Sequence, residues 1–187
     1  MKIRHPLLLR LFLALVVISI MAALLVLGSR SVLKSLYPLG YTEFVETYSE
    51  ENNLSKEFVY AVIKCESSFK PDAVSSVGAR GLMQIMPDTF DWIKGRLKDS
   101  SEYDDMFIPE NNIRYGCHLY GYLMNRYGDE ALAVAAYHAG ISNVDKWLSD
   151  EAYSKDGKTL SDIPFPSTKK YVAKVTETKK IYEKLYK

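Results

Sequence analysis

The chain has 187 residues, enough for one ordinary domain with an appendage. Its 48% hydrophobic and 25% charged residues exclude a disordered chain, and a net charge of +1 argues against nucleic-acid binding. That small total hides three segments: residues 1–34 carry +5, residues 35–168 carry −9, and residues 169–187 carry +5.

The first segment holds an uncharged run from Leu11 to Gly28, nearly all Leu, Val, Ile, Ala, Phe and Met. About 20 apolar residues cross a bilayer, so residues 1–34 are expected to be a cytoplasmic tail and a single transmembrane anchor. The rival is a cleaved signal peptide, whose apolar region is shorter and ends in a small-residue site. With no cysteine directly after the run, a lipoprotein-type anchor is not expected. Everything from residue 35 to 187 is then one domain, extracytoplasmic, or secreted if the leader is cut.

That domain reads as helical. Thr42 is expected to cap a helix over 43–50. Ser55 caps the next, where Phe58, Ala61, Val62 and Cys65 follow helical spacing. Pro87 opens a helix to about Leu97, and Pro109 opens another that Gly128 ends. Asp129 caps residues 130–138, Ser142 caps a short helix through Trp147, residues 150–166 are loop, and a last helix covers roughly 168–186. Period-2 alternation is scarce, so the fold class is all-α with at most a small β element around 72–83.

The chain has three histidines, His5, His118 and His138, and no HExxH, CxxC or Asp-rich calcium loop, so no metal site is expected. No phosphate-binding loop or nucleophile elbow occurs, and no cofactor is expected. One carboxylate stands out. Glu66 ends an apolar helix, with Val59, Val62 and Ile63 seven, four and three residues before it. Burial and the negative end of the helix would both raise its pKa, which makes it a candidate general acid. The plainer reading turns Glu66 to solvent at a frayed helix end. Cys65 and Cys117 either form a disulfide or remain two small buried thiols.

The stretch after Glu66 carries more. It reads Glu66-Ser67, then a loop with Ser75, then Gly78-Ala79-Arg80-Gly81-Leu82-Met83-Gln84 before Pro87. Downstream come Asn112-Ile113 with Gly116, then Ala136-Tyr137-His138-Ala139-Gly140 with Asn143-Val144 and Trp147, then Ile163-Pro164 with Thr168, Tyr171 and Val172. In this order and spacing the chain resembles the Slt-type lytic transglycosylases, lysozyme-like enzymes of the bacterial cell wall, over roughly residues 42–185.

The resemblance implies a lysozyme-like fold and cleavage of the β-1,4 bond after N-acetylmuramic acid in peptidoglycan glycan strands. Glu66 would act alone, first as acid and then as base, leaving a 1,6-anhydro ring. It also implies substrate binding by Ser75, Met83, Gln84, Met86, Tyr137 and His138, with Tyr137 reaching the carboxylate or the sugar. Tyr103, Phe107 and Tyr120 are further aromatic candidates for the groove. His138 stands where the family has Asn, Ser167 and Lys169 where it has Glu and Arg, and Leu119-Tyr120 where a Tyr at the first position is common. Two alternatives remain: a hydrolytic lysozyme using Asp72, Asp88 or Asp91 to activate water, and a non-catalytic wall-binding scaffold.

Overall fold

The computed structural model describes residues 5–187, without the side chains of residues 5–9, 22–27 and 29. The chain divides into two units, Met1–Pro38 and Leu39–Lys187. The first unit contains α1, His5–Leu36. Its described apolar residues, including Leu11, Phe12, Leu15 and Ile18, are exposed. Among the described residues no helix is long and apolar enough to cross a membrane. The expected anchor is therefore not met there, and residues 22–27 of its run lie outside the described side chains.

The second unit is built from α2 (Thr42–Glu51), α3 (Lys56–Glu66), α4 (Pro87–Leu97), a 3-10 turn (Tyr103–Phe107), α5 (Pro109–Tyr127), α6 (Glu130–Ala139), α7 (Ile141–Ser149) and α8 (Pro166–Leu185). No strand occurs among the described residues. The expected β element reduces to two isolated bridges, Val74–Arg80 and Arg80–Ile85.

Helix α3 is the central element. Phe58 to Ile63 are six consecutive buried residues, a helix enclosed on all sides rather than a striped one. Ser55 caps it, its hydroxyl accepting from the Phe58 amide at 3.2 Å. Helix α8 packs on α3 and α6, and α5 packs on α6 and α2. Glu66 therefore sits where α3 emerges from the core.

Some boundaries differ from expectation. Thr42 lies inside α2; the cap position is Tyr41 in the left-handed region (φ 59°), with no side-chain cap bond. Ser142 likewise lies inside α7, whose cap is Gly140 at φ 88° and ψ 146°, a conformation glycine takes without strain. Helix α8 begins at Pro166, earlier than expected, because proline fits the first helical turn. The 3-10 turn was not expected, although its Glu102–Asp105 capping box is legible in the sequence. Both cysteines are free thiols. Cys117 is fully buried, and the Cys65 Sγ lies 3.5 Å from Thr178 Oγ1 on α8.

Candidate active site

Residues 70–86 leave α3 as a loop pinned from beneath by one side chain. Asn112 is completely buried. Its Nδ2 donates to the Arg80 and Met106 carbonyls at 2.9 and 2.8 Å, and its Oδ1 accepts from the Met83 amide at 2.7 Å. This close approach needs Gly81, at φ +76°, where an added Cβ would lie 2.2 Å from both Asn112 Nδ2 and the Met106 carbonyl oxygen. Gly116 has the same role on α5, where a Cβ would meet Met83 Sδ at 2.3 Å.

Glu66 is partly exposed at the last turn of α3. Burial raises its pKa above the ordinary carboxyl value; the hydrogen bond from Tyr171 and the nearby Lys174 ammonium act in the opposite direction. The Tyr171 hydroxyl, on α8, donates to Glu66 Oε1. Lys174, one turn on, donates to the Cys65 carbonyl at 2.8 Å and so covers the end of α3.

An aromatic wall backs this carboxyl. The Tyr120 ring is fully buried, stacks on Tyr137 at 4.2 Å and meets Phe58 edge-on at 4.9 Å. Its hydroxyl lies 3.5 Å from that of Tyr171. Burial holds Tyr120, Tyr137 and Tyr171 well above the ordinary phenol pKa, so all three remain neutral donors.

The sequence-derived site residues fall in different places. The Tyr137 hydroxyl donates to the Met83 carbonyl rather than to Glu66, whose charge it still feels, and its ring lines a cleft of about 270 Å³ with Asp88, Trp92, Leu119, Leu123 and Ile141. Met83 is no groove floor: its side chain is fully buried against Gly116, and its backbone supplies the contacts. Gln84, at φ 50°, spends its amide N–H groups on the Ala73 and Gly81 carbonyls at 3.2 and 2.9 Å. Ser75 accepts from the Ala79 and Val77 amides at 3.0 and 3.3 Å, closing its own loop. Met86 is exposed beside the start of α4.

His138 Nδ1 is 3.0 Å from Thr168 Oγ1, and its ring stacks on Tyr171 at 4.7 Å. Burial of part of the ring lowers its pKa, which keeps the neutral form near pH 7. Lys169 pairs with Asp162 at 2.6 Å, so an ionic contact exists on this segment despite Ser167. Of the other aromatic candidates, Tyr103 is shared between the Gly78 and Ile85 carbonyls, at 2.6 and 2.9 Å, and Phe107 lies under Arg80.

Tyr171 was not singled out from the sequence, although its Tyr-Val pair was part of the matched segment. Changing Tyr171→Phe removes a donor that favours the ionised carboxylate. The Glu66 pKa should then rise further, carrying the alkaline limb of the pH–activity profile to higher pH. An unmoved limb would show that the bond has no hold on this carboxyl.

Residues 43–160 match the family model of the transglycosylase SLT domain, and the chain belongs to that family. It is 37% identical over 146 residues to a putative soluble lytic murein transglycosylase of Haemophilus influenzae, covering 74% of this chain and 24% of that protein. The 70 kDa soluble lytic transglycosylase of Escherichia coli has the same fold, with TM-score 0.74 and 29% identity over 82% of this chain and 26% of that one. An inactive Glu-to-Gln variant of the lytic transglycosylase Slt from Pseudomonas aeruginosa gives TM-score 0.70 and 29% identity, over 80% of this chain and 25% of that one. Matched proteins include both soluble and membrane-bound lytic murein transglycosylases. The chain spans about a quarter of the length of the soluble relatives.

Proposed function

We propose that the chain is a peptidoglycan lytic transglycosylase with Glu66 as its single acid and base. The observation that carries this reading is a carboxyl desolvated at the open end of a buried helix, with a neutral tyrosine hydroxyl on one oxygen. Family membership and the names of the relatives support it. The protonated Glu66 gives its proton to the glycosidic oxygen leaving C1 of N-acetylmuramic acid. The neighbouring N-acetyl group shares the positive charge. The carboxylate then takes the proton of the sugar's 6-hydroxyl, whose oxygen bonds to C1 and closes the 1,6-anhydro ring. No water is consumed, so a second carboxylate is not required.

The substrate contacts belong to the same proposal. Tyr137 and the cleft it lines receive the glycan, His138 and the exposed Met86 add contacts to it, and Ser75, Met83 and Gln84 act by holding the loop after Glu66. The domain of residues 35–187 lies outside the cytoplasm in this proposal, with the Leu11–Gly28 run as its membrane anchor. That placement rests on the 18 uncharged residues from Leu11 to Gly28.

Mass analysis of products from intact peptidoglycan tests the reaction. Anhydro-muramic ends are expected. Reducing muramic ends would select the hydrolytic alternative, and no product from well-folded protein would select the scaffold. The same assay on membranes washed with alkaline carbonate should find the activity in the pellet; activity in the wash would overturn the anchor.

A further inference from the structure

The domain has a second polar cleft on the other face of α5. Counting along that helix, Leu119 and Leu123 line the Tyr137 cleft and Tyr120 stacks on Tyr137, whereas His118, Tyr122 and Asn125 face away. This second cleft holds about 200 Å³. Its floor is α5 at His118, Gly121 and Tyr122. One side is the end of α2, Glu51 with Asn52, and the other is Arg96 from the last turn of α4.

Arg96 is set apart from its counterparts. The second unit has four arginines, and Arg80, Arg114 and Arg126 each pair with an aspartate: Asp104, Asp99 and Asp145. Arg96 has no carboxylate partner among the described residues. Its guanidinium is held instead over two rings, 4.6 Å from Trp92 and 4.7 Å from Tyr122, which themselves meet edge-on at 5.0 Å. Stacking of this kind fixes the guanidinium plane while leaving its N–H edge free for a carboxylate.

Glu51 lines the same cleft and does not pair with Arg96. It ends α2, where the carbonyl end of the helix adds partial negative charge. His118 Nε2 is buried there without a hydrogen-bond partner, a cost in the free chain that a bound polar group would recover. The cleft thus offers a fixed cation, an anion, side-chain amides and an aromatic edge.

We propose that this cleft binds a short zwitterionic peptide, its carboxylate on Arg96 and its ammonium toward Glu51. Amides of Asn52 and Asn125 meet the peptide groups between. Peptide stems of the cell wall carry this chemistry, and that choice of source rests on the function proposed above. Trp92 also lines the Tyr137 cleft, so one indole borders both clefts.

The chain contains two tryptophans, which gives a direct readout. Trp147 packs edge-on to Phe165 and lines neither cleft, so its indole N–H signal in an NMR spectrum of the full chain in detergent is an internal reference. The probe is the tripeptide Ala-γ-Glu-Lys. It is expected to shift the Trp92 signal with concentration and leave Trp147 in place. Arg96→Gln, or amidation of the probe's carboxylates, should weaken that response at least about tenfold, the cost of losing a bidentate charged pair. Glu51→Gln, distant from the indoles in sequence, should weaken it several-fold. An unmoved Trp92, or equal responses from the variants and the amidated probe, would overturn the proposal. Glu66→Gln should bind the tripeptide normally, so failure of the peptide site and failure of the cleavage reading give different results.

Discussion

Glu66→Gln should abolish cleavage while leaving the protein folded and, at neutral pH, more stable. Glutamine keeps the shape and an acceptor for the Tyr171 hydroxyl, but it has no proton to give. General acid–base catalysis contributes roughly 10²–10⁴-fold, and one group serving both steps should cost at least that much. The stability gain follows from the direction of the pKa. Burial raises the folded-state value above the unfolded one, so the native chain holds the Glu66 proton more tightly. Wild-type stability therefore falls as pH climbs from the ordinary carboxyl pKa to the raised one. Glutamine escapes this loss. Thermal unfolding should show the variant ahead at neutral pH and the gap closing as pH falls below the ordinary carboxyl range. Wild-type activity should decline as pH rises through the raised pKa. Equal activity in the variant would remove Glu66 from the mechanism, and a gap that widens on acidification would contradict a desolvated carboxyl.

Asn112→Ala should produce the largest stability loss. The substitution removes two donors and one acceptor at a fully buried point, leaving the Met83 amide and the Arg80 and Met106 carbonyls without these bonds. Each buried group stranded in this way costs about 1–3 kcal/mol, so a loss of about 3 kcal/mol or more is expected. That is a large share of the roughly 5–15 kcal/mol that holds a domain together. Cleavage should fall as well, because the Met83 carbonyl that receives Tyr137 moves with the loop. Urea denaturation of the two proteins checks the first effect. A midpoint within experimental error of wild type would show that Asn112 is dispensable to the loop.

The helical skeleton was legible because its punctuation is local. Ser55, Pro87, Pro109 and Gly128 each mark a boundary through their own backbone chemistry. Thr42 and Ser142 misled because both are good cap residues one or two positions past the real start. A cap is chosen by backbone angles, and those at Tyr41 and Gly140 depend on how the chain enters the core. Glu66 was legible because burial follows from helical spacing within a single helix. The side-chain directions around it were not. Met83 and Gln84 sit in one motif, yet one is sunk against Gly116 and the other is tied to its own loop. Adjacent residues in an irregular loop share no period from which to read an orientation. Tyr171 was the hardest case, since its contact to Glu66 spans 105 positions and leaves no local mark.

That long separation has a kinetic consequence. During synthesis α3 emerges well before α8, and until Tyr171 and Lys174 dock, the end of α3 lies open to water. A carboxyl in that state has ordinary acidity and is ionised at neutral pH. Closing so distant a contact carries a loop-closure entropy that local helix formation does not. A partial chain ending before residue 171 thus bears the whole Glu66 motif without the burial that raises its pKa. The same docking step that completes the core also shields the Glu66 carboxyl from water.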